Sequence, residues 1–173
     1  APNLSSDFNQ VQVIEIGGGS EKGSIYYKDL QGKTYRNQTE IQGKVFLIKD
    51  DLPAYDWKMS TETKNIGMYT CYKATYSKEV EQKQVTFING EMKEEVVKET
   101  IVTTAWYTLQ VSVSNGSDNY QGLPGLILEI NDGKNLIVCT EISINPSKSI
   151  KIEAPKKGKL FLKKSTMKFK IRN

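Results

Sequence analysis

The chain has 173 residues, of which 24 are Lys or Arg and 20 are Asp or Glu, with two Cys and no His. Without His, it can form neither a Ser-His-Asp or Cys-His catalytic site nor a His-containing zinc site, and two Cys cannot supply a four-cysteine zinc site. The excess of positive charge lies between Lys148 and Arg172, so the rest of the chain lacks the basic character typical of nucleic-acid-binding proteins.

Short runs rich in β-branched and aromatic residues, separated by turn residues, predict strands along the whole chain. In chain order they are Val11–Ile16, Ser24–Lys28, Lys33–Arg36, Lys44–Lys49, Asp56–Ser60, Ile66–Tyr76, Gln84–Ile88, Val96–Thr108, Leu126–Ile130 and Leu136–Ile144. Asp29–Gly32, Asn89-Gly90 and Asn131–Lys134 predict hairpin turns, and Asn-Gly is the strongest signal because both residues accept positive φ. We interpret the charged segment Gly90–Lys98 as one arm of a hairpin rather than a helix.

This pattern predicts an all-β, mainly antiparallel fold in which a curled sheet forms a half-open barrel or a sandwich. The length suits one domain, which we place over residues 1–157, followed by a basic C-terminal tail over residues 158–173. No run of 18 apolar residues is present, so no transmembrane helix is predicted. The chain begins at Ala1 without Met, and we expect it to be processed or truncated.

The two cysteines, Cys71 and Cys139, lie in different predicted strands. They form one disulfide if the protein is exported, and remain two buried thiols if it stays in the cytosol. Strand alternation puts Cys71 on the same face as Lys73, and Cys139 on the same face as Glu141. Each cysteine is therefore predicted on the more polar face of its strand, which favours a clamp between strands near the surface.

Carboxylate side chains are plentiful, but no spacing among them selects a catalytic pair. The candidates are Asp50, Asp51, Asp56, Glu62, Asp118, Glu129 and Asp132. A glycosidase needs two such groups facing one sugar, whereas most acids in proteins are solvated. Since the chain also lacks His, a metal-ligand set and a phosphate-binding loop, we predict that the protein is not an enzyme and needs no cofactor.

The segment Gly122–Ile130 reads GLPGLILEI. Pro124 and Gly125 fit the second and third positions of a type II turn that leads into an apolar strand. One interpretation is that this turn sets the register of the strand; the other is that it presents Leu123 to a ligand or partner. Aromatic and apolar residues around the preceding loop (Val113–Gly122) make this a candidate partner-binding segment. Its residues are Trp106, Tyr107, Tyr120, Gly122, Leu123, Pro124 and Gly125.

Three stretches of the sequence carry a family resemblance. They are GLPGLILEI itself, residues 43–76 (GKVFLIKDDLPAYDWKMSTETKNIGMYTCYKATY) and residues 105–130 (AWYTLQVSVSNGSDNYQGLPGLILEI). On these motifs the chain resembles the GLPGLI family of β-rich proteins exported by Bacteroidetes. The resemblance implies an oxidising envelope compartment, the periplasm or the outer membrane, and we therefore expect a Cys71–Cys139 disulfide.

The resemblance transfers no catalytic residues, but it implies a setting beside outer-membrane transporters of the TonB-dependent type. We therefore expect a non-catalytic envelope protein that binds another envelope protein, as a binding or accessory subunit of such a complex, and does not bind nucleic acid. Two alternatives stay open. A curled sheet lined by the Leu126–Ile130 strand could carry an apolar ligand, and a pair of carboxylates could hydrolyse envelope glycans.

Overall fold

The computed structural model describes residues 12–15 and 24–162, and every regular element among them is a β-strand. The strands are β1 (Gln12–Glu15), β2 (Ile25–Asp29), β3 (Thr34–Ile41), β4 (Lys44–Asp51), β5 (Lys58–Ile66), β6 (Tyr69–Ile88), β7 (Glu91–Thr108), β8 (Leu126–Asn131), β9 (Leu136–Val138) and β10 (Lys159–Leu162). The predicted all-β, mainly antiparallel fold is confirmed. In this described part of the chain, no helix has the length and apolar character needed to cross a membrane.

Sheet A, the first of two five-stranded sheets, has the order β1-β2-β3-β4-β10. Its neighbours are antiparallel except for β10, which pairs in parallel with β4 and sets Lys159 opposite Phe46. Gly158 precedes this strand with φ +120°, and a Cβ atom there would lie 2.8 Å from the carbonyl carbon of Phe46. Sheet A thus reaches into the segment predicted as a basic tail, through a close approach that requires glycine.

Sheet B has the order β5-β6-β7-β8-β9, and its central feature is the long β6–β7 hairpin. The two strands pair without a register shift from Tyr72 opposite Tyr107 to Ile88 opposite Glu91. At the turn, Asn89 (φ 53°) and Gly90 (φ 81°) are both left-handed, which is the backbone of the predicted two-residue hairpin turn.

The chain divides into two compact units. Unit 1 comprises residues 1–54, 113–121 and 141–173, and contains sheet A; unit 2 comprises residues 55–112 and 122–140, and contains sheet B. Each unit is therefore assembled from segments that are not contiguous in sequence. The structure does not test whether residues 1–157 fold as one domain, and that statement stays a prediction.

One face of sheet B forms the core of unit 2. Ala74 of β6 lies opposite Ala105 of β7, and both are fully buried. Ile130 of β8 pairs with Ala105 and is also buried, so the core continues across the sheet. On the same face, the ring of Tyr76 meets the ring of Tyr55 edge to face at 5.1 Å between centroids.

The course of β8 departs from the predicted alternation. The register shifts between Trp106 and Tyr107, so Trp106 pairs with Glu129 whereas Tyr107 pairs with Ile127. A bulge of this kind places two residues of one strand opposite one of its partner and interrupts strict alternation. In this strand Ile127, Leu128 and Ile130 are all buried.

Strand limits differ most in two places. The predicted strand Ile66–Tyr76 crosses the turn between β5, which ends at Ile66, and β6, which begins at Tyr69. From there β6 continues through the predicted strand Gln84–Ile88, because cross-strand pairing with β7 also orders the intervening charged residues. The predicted strand Leu136–Ile144 ends at Val138. The segment Gly90–Lys98 lies in a strand, as predicted, and not in a helix.

Candidate functional site

The predicted partner-binding segment is divided between the two units. Trp106 and Tyr107 lie at the end of β7 in unit 2, together with residues 122–125. Tyr120 lies in unit 1, in the 113–121 segment. The structure therefore does not gather these residues within one compact unit.

Three of the predicted site residues are buried. Leu123 is 2% exposed, Tyr107 is 5% exposed, and Gly125 is also in the buried class. A side chain this deeply buried is not displayed at the surface, which counts against the interpretation that the turn presents Leu123. The alternative interpretation, in which the turn sets the register of β8, is the one that the burial favours.

The two glycines of this turn, Gly122 and Gly125, are required for different structural reasons. Gly122 is the residue with positive φ (+97°), and Gly125 lies outside the left-handed region, so the predicted type II turn with Gly125 at its third position is wrong. Gly125 is needed for steric reasons instead. A Cβ atom there would lie 2.0 Å from the carbonyl oxygen of Thr108, against which the backbone packs. Nearby, the amide of Leu126 donates to the carbonyl of Val111 at 3.0 Å.

Trp106 belongs to a charged cluster on the second face of sheet B. The ammonium of Lys64, from β5, lies 4.5 Å from the centre of the Trp106 ring. The same ammonium donates to both carboxylate oxygens of Glu129, from β8, at 2.7 and 2.8 Å. The Glu129 side chain is 16% exposed, so its charge is balanced inside a largely dry environment. Sequence reasoning missed this cluster because 65 residues separate Lys64 from Glu129.

The cysteines do not form the predicted disulfide. Neither Cys71 nor Cys139 takes part in a disulfide in the structure. Cys71 lies in β6, whereas the amide of Cys139 donates to the carbonyl of Leu128 in β8. Strands β7 and β8 lie between Cys71 and Cys139, because Cys139 directly follows β9. Three strand spacings are roughly 14 Å, which exceeds the Cα separation that a disulfide allows.

Cys71 lies on the more polar face of its strand, as the alternation predicts, because it is directly opposite Lys64 of the Trp106–Glu129 cluster. It is nevertheless fully buried. Burial raises the pKa of the Cys71 thiol, which keeps it protonated and poorly nucleophilic. The thiol is therefore a packing group.

A buried lysine holds the predicted loop in unit 1. Lys28 of β2 is fully buried, and its ammonium donates to the carbonyl oxygens of Gly116 at 2.6 Å and Tyr120 at 3.2 Å. Burial lowers the pKa of Lys28 to about 7, and the carboxylate of Asp118 acts in the opposite direction. Tyr120 thus takes part through its backbone carbonyl, in a contact that fixes residues 113–121 over the sheet A strand β2.

The carboxylates proposed as hydrolase candidates mostly have local partners. Glu62 pairs with Lys73 at 3.1 Å, and Asp56 pairs with Lys58 at 2.7 Å. Asp132 accepts hydrogen bonds from the amides of the β8–β9 turn, which lowers its pKa. A catalytic acid requires a raised carboxyl pKa, so Asp132 is a turn residue rather than a candidate acid. Among the described residues, no group of three or more Cys, Asp and Glu side chains is arranged to hold a metal ion.

The outer part of the β6–β7 hairpin is a two-stranded ribbon with open edges. Pairing of β6 with β5 ends at Thr75, and pairing of β7 with β8 ends at Thr104. Beyond these points, from Ser77 to Val102, no other strand of the described chain lies against either edge. We call this segment, residues 77–102, the arm.

One face of the arm exposes apolar side chains near its tip. Phe87 lies opposite Met92 and the two are 72% and 61% exposed. Val85 and Val96 continue the same face and are each at least half exposed. An isolated two-stranded ribbon is only marginally stable and open edges favour pairing with another chain. The arm is therefore the feature of the described structure best suited to binding, and sequence reasoning gave it no role.

Part of the chain matches a known protein family. Residues 57–129 match a family described as "Protein of unknown function (Porph_ging)". The matched stretch begins at Trp57, contains β5, β6 and β7, and ends in β8, so it includes the whole arm and the Lys64–Trp106–Glu129 cluster. No curated protein and no solved structure matches the chain.

Proposed function

We propose that this protein is a non-catalytic binding subunit of the bacterial cell envelope and that the arm is its binding element. The observation that carries the proposal is the arm itself. It consists of 26 residues, numbered 77–102, whose edges are not paired with any other described strand, and Phe87 and Met92 are largely exposed at its tip. Exposed large apolar side chains beside unpaired backbone are characteristic of surfaces that are covered by a partner.

The composition of the arm supports recognition by strand pairing as well as by side-chain contact. Charged residues flank apolar ones along both strands, as in Glu79-Val80-Glu81 and Glu95-Val96-Val97-Lys98. Charges on an edge strand limit uncontrolled aggregation but leave backbone donors and acceptors available to a chosen partner. The arm carries no Pro and no register shift that would block such pairing.

The envelope setting is part of the proposal and comes from the motifs. GLPGLILEI and the blocks at residues 43–76 and 105–130 resemble the exported GLPGLI family, and we propose membership of that family. On that basis we propose a periplasmic or outer-membrane location and a partner in an outer-membrane complex of the TonB-dependent transporter type. A family resemblance does not identify the partner protein, so the experiment has to isolate that partner directly.

The test is recovery of an envelope partner with and without the arm. In the trimmed variant, residues 79–100 are removed and Lys78 is joined to Ile101 by Asn-Gly. Those two residues are hydrogen-bonded cross-strand partners, to which a two-residue turn is suited. We expect wild-type protein, immobilised and mixed with native outer-membrane extract, to retain an envelope protein that the trimmed variant loses.

A matched pair of point variants separates binding from folding. Met92→Ser lies on the arm, whereas Met68→Ser lies in the turn between β5 and β6, where Met68 is 84% exposed. We expect Met92→Ser to weaken partner recovery and Met68→Ser to leave it unchanged, with both thermal midpoints close to wild type. Equal recovery by wild-type and trimmed protein would contradict the role of the arm.

A further inference from the structure

We infer that the outer edge of β7 in the arm pairs antiparallel with the same edge of a second copy of this chain, in a register centred on Val96. The inference rests on the proposed role of the arm as the binding element, and it names one partner of that element. The resulting sheet would have four strands in the order β6-β7-β7-β6, with a two-fold axis at Val96. Such an interface is isologous, because each copy contributes the same surface.

The hairpin geometry determines which backbone groups are available. With a two-residue turn, Ile88 and Glu91 form the closing hydrogen-bonded pair, and hydrogen-bonded and non-hydrogen-bonded pairs then alternate along the strands. The even-numbered residues of β7 therefore direct their amide and carbonyl groups away from β6. They are Met92, Glu94, Val96, Lys98 and Thr100. An antiparallel partner must present the same set, which restricts self-pairing to registers centred on a residue.

Side-chain charges then select one register. Centred on Val96, the pairing sets Glu94 opposite Lys98 and Lys93 opposite Glu99, and the two-fold axis repeats both pairs. Cross-strand pairs of opposite charge stabilise a sheet, and like charges directly opposite destabilise it. Along the strand from residue 92 to residue 100 this register contains no like-charged pair.

The neighbouring registers are all worse. A centre at Glu95 sets Glu95 opposite its own copy, and a centre at Val97 sets Glu95 opposite Glu99. A centre at Glu94 or at Lys98 places that charged residue on the axis, facing itself. Moving the centre of pairing by one residue in either direction brings two glutamates opposite each other. The charges of β7 therefore favour the register centred on Val96 over its neighbours.

The decisive experiment uses charge reversal at Glu94 and Lys98. Glu94→Lys makes each 94–98 contact Lys opposite Lys, and Lys98→Glu makes each one Glu opposite Glu. When the two variants are mixed, both contacts between unlike copies become Glu opposite Lys. By sedimentation equilibrium at low ionic strength, we expect wild-type protein to dimerise reversibly, with each variant alone at least about tenfold weaker. The equimolar mixture and the double variant should recover most of the affinity.

Two features make this pattern specific. Within one copy, Lys98 lies opposite Glu81 and Glu94 lies opposite Val85, so a local effect on folding could weaken a single variant but could not be reversed by mixing. Glu79→Lys is the matched control, because it makes the same charge change on the β6 edge, opposite Thr100. It should leave the dimer unchanged.

The outcomes of the two proposals are separable. A wild-type chain that stays monomeric at millimolar concentration overturns the inference, as does a mixture that associates no better than its components. Either result leaves the proposed function standing if the trimmed variant still loses its envelope partner. Conversely, charge-dependent dimerisation without an arm-dependent envelope partner supports the inference and counts against the envelope-binding role.

Discussion

Lys28 shows how a single residue type can fix a loop at an electrostatic cost. A buried ammonium is unfavourable unless hydrogen bonds satisfy its donors, and here the carbonyls of Gly116 and Tyr120 accept two of them. Burial still lowers the pKa of Lys28 to about 7, below the ordinary value of 10.5. The residue therefore makes unit 1 sensitive to pH in a range where few other groups titrate, since the chain has no His.

The direction of that dependence follows from proton linkage. Between about pH 7 and 10.5 the unfolded chain binds a proton at Lys28 that the folded chain has released, so the free energy of unfolding rises with pH. We expect wild-type protein to gain on the order of 3 kcal/mol between pH 7 and 9.5 relative to Lys28→Met. Urea denaturation of both proteins across this range measures the difference. A difference that stays constant with pH would show that Lys28 keeps its ordinary pKa when folded.

Gly125 offers a second test at the scale of one residue. Gly125→Ala places a Cβ atom 2.0 Å from the Thr108 carbonyl oxygen, so the backbone of β7 or of the turn must move. We expect a loss of about 3 kcal/mol in unfolding free energy. Gly67→Ala is the control, because Gly67 has positive φ but open space around it, and we expect about 1 kcal/mol. Equal losses would mean that the backbone can relax at Gly125 without cost.

Among the elements, the sequence predicts those whose structure depends only on residues close to one another in the chain. The Asn89-Gly90 turn and the strand beyond it were predictable, because turn geometry and alternation are local properties. The β8 bulge was not, since it arises where the register of β7 and β8 shifts. Cys71 illustrates the same limit: its own strand indicates the polar face, where Lys64 of β5 lies opposite it, but not its complete burial.

The Lys64–Glu129 pair joins the first and fourth strands of sheet B. Lys64→Met leaves the Glu129 carboxylate unpaired and largely buried, and we expect it to cost about 2 kcal/mol. The double change Lys64→Met with Glu129→Leu should recover most of that loss, because no charge remains to be desolvated. Lys58→Met removes an exposed pair and should change the unfolding free energy by less than about 0.5 kcal/mol. Losses that simply add in the double variant would show that the pair is not coupled.

The arm should differ from the rest of sheet B in its dynamics. It has two strands and few buried side chains, whereas the segments Tyr72–Thr75 and Thr104–Tyr107 lie between neighbouring strands and contribute to the core. We expect amide hydrogen exchange in the monomer to be faster across Val85–Val96 than across Thr104–Tyr107, because the arm can open alone. Equal protection in both regions would indicate that the arm is covered or more cooperative than its pairing suggests.

For the whole molecule, the distribution of tryptophan separates the two units spectroscopically. Trp57 and Trp106 are the two tryptophans of the chain, and both lie in unit 2. Tryptophan fluorescence therefore reports unfolding of unit 2, while far-ultraviolet circular dichroism reports both sheets. Because each unit has its own sheet and core, we expect the two urea transitions not to coincide. Superimposable transitions for the wild type and for Lys28→Met would show instead that the units unfold together.

The two open edges of the arm also determine whether self-association ends at two copies. Pairing through β7 closes on itself, but it leaves a β6 edge on each side of the four-stranded sheet. If β6 edges paired in the same way, centred on Gln82, Glu81 would face Lys83 and each pair would add a further unpaired edge. Alternating β7–β7 and β6–β6 contacts would then propagate into a continuous ribbon rather than a closed dimer. To stop at two copies, such a protein needs one edge of the arm to pair more weakly than the other. The β6 edge would form one pair of opposite charges per copy, Glu81–Lys83, whereas the β7 edge would form two. The β6 edge is therefore the weaker one.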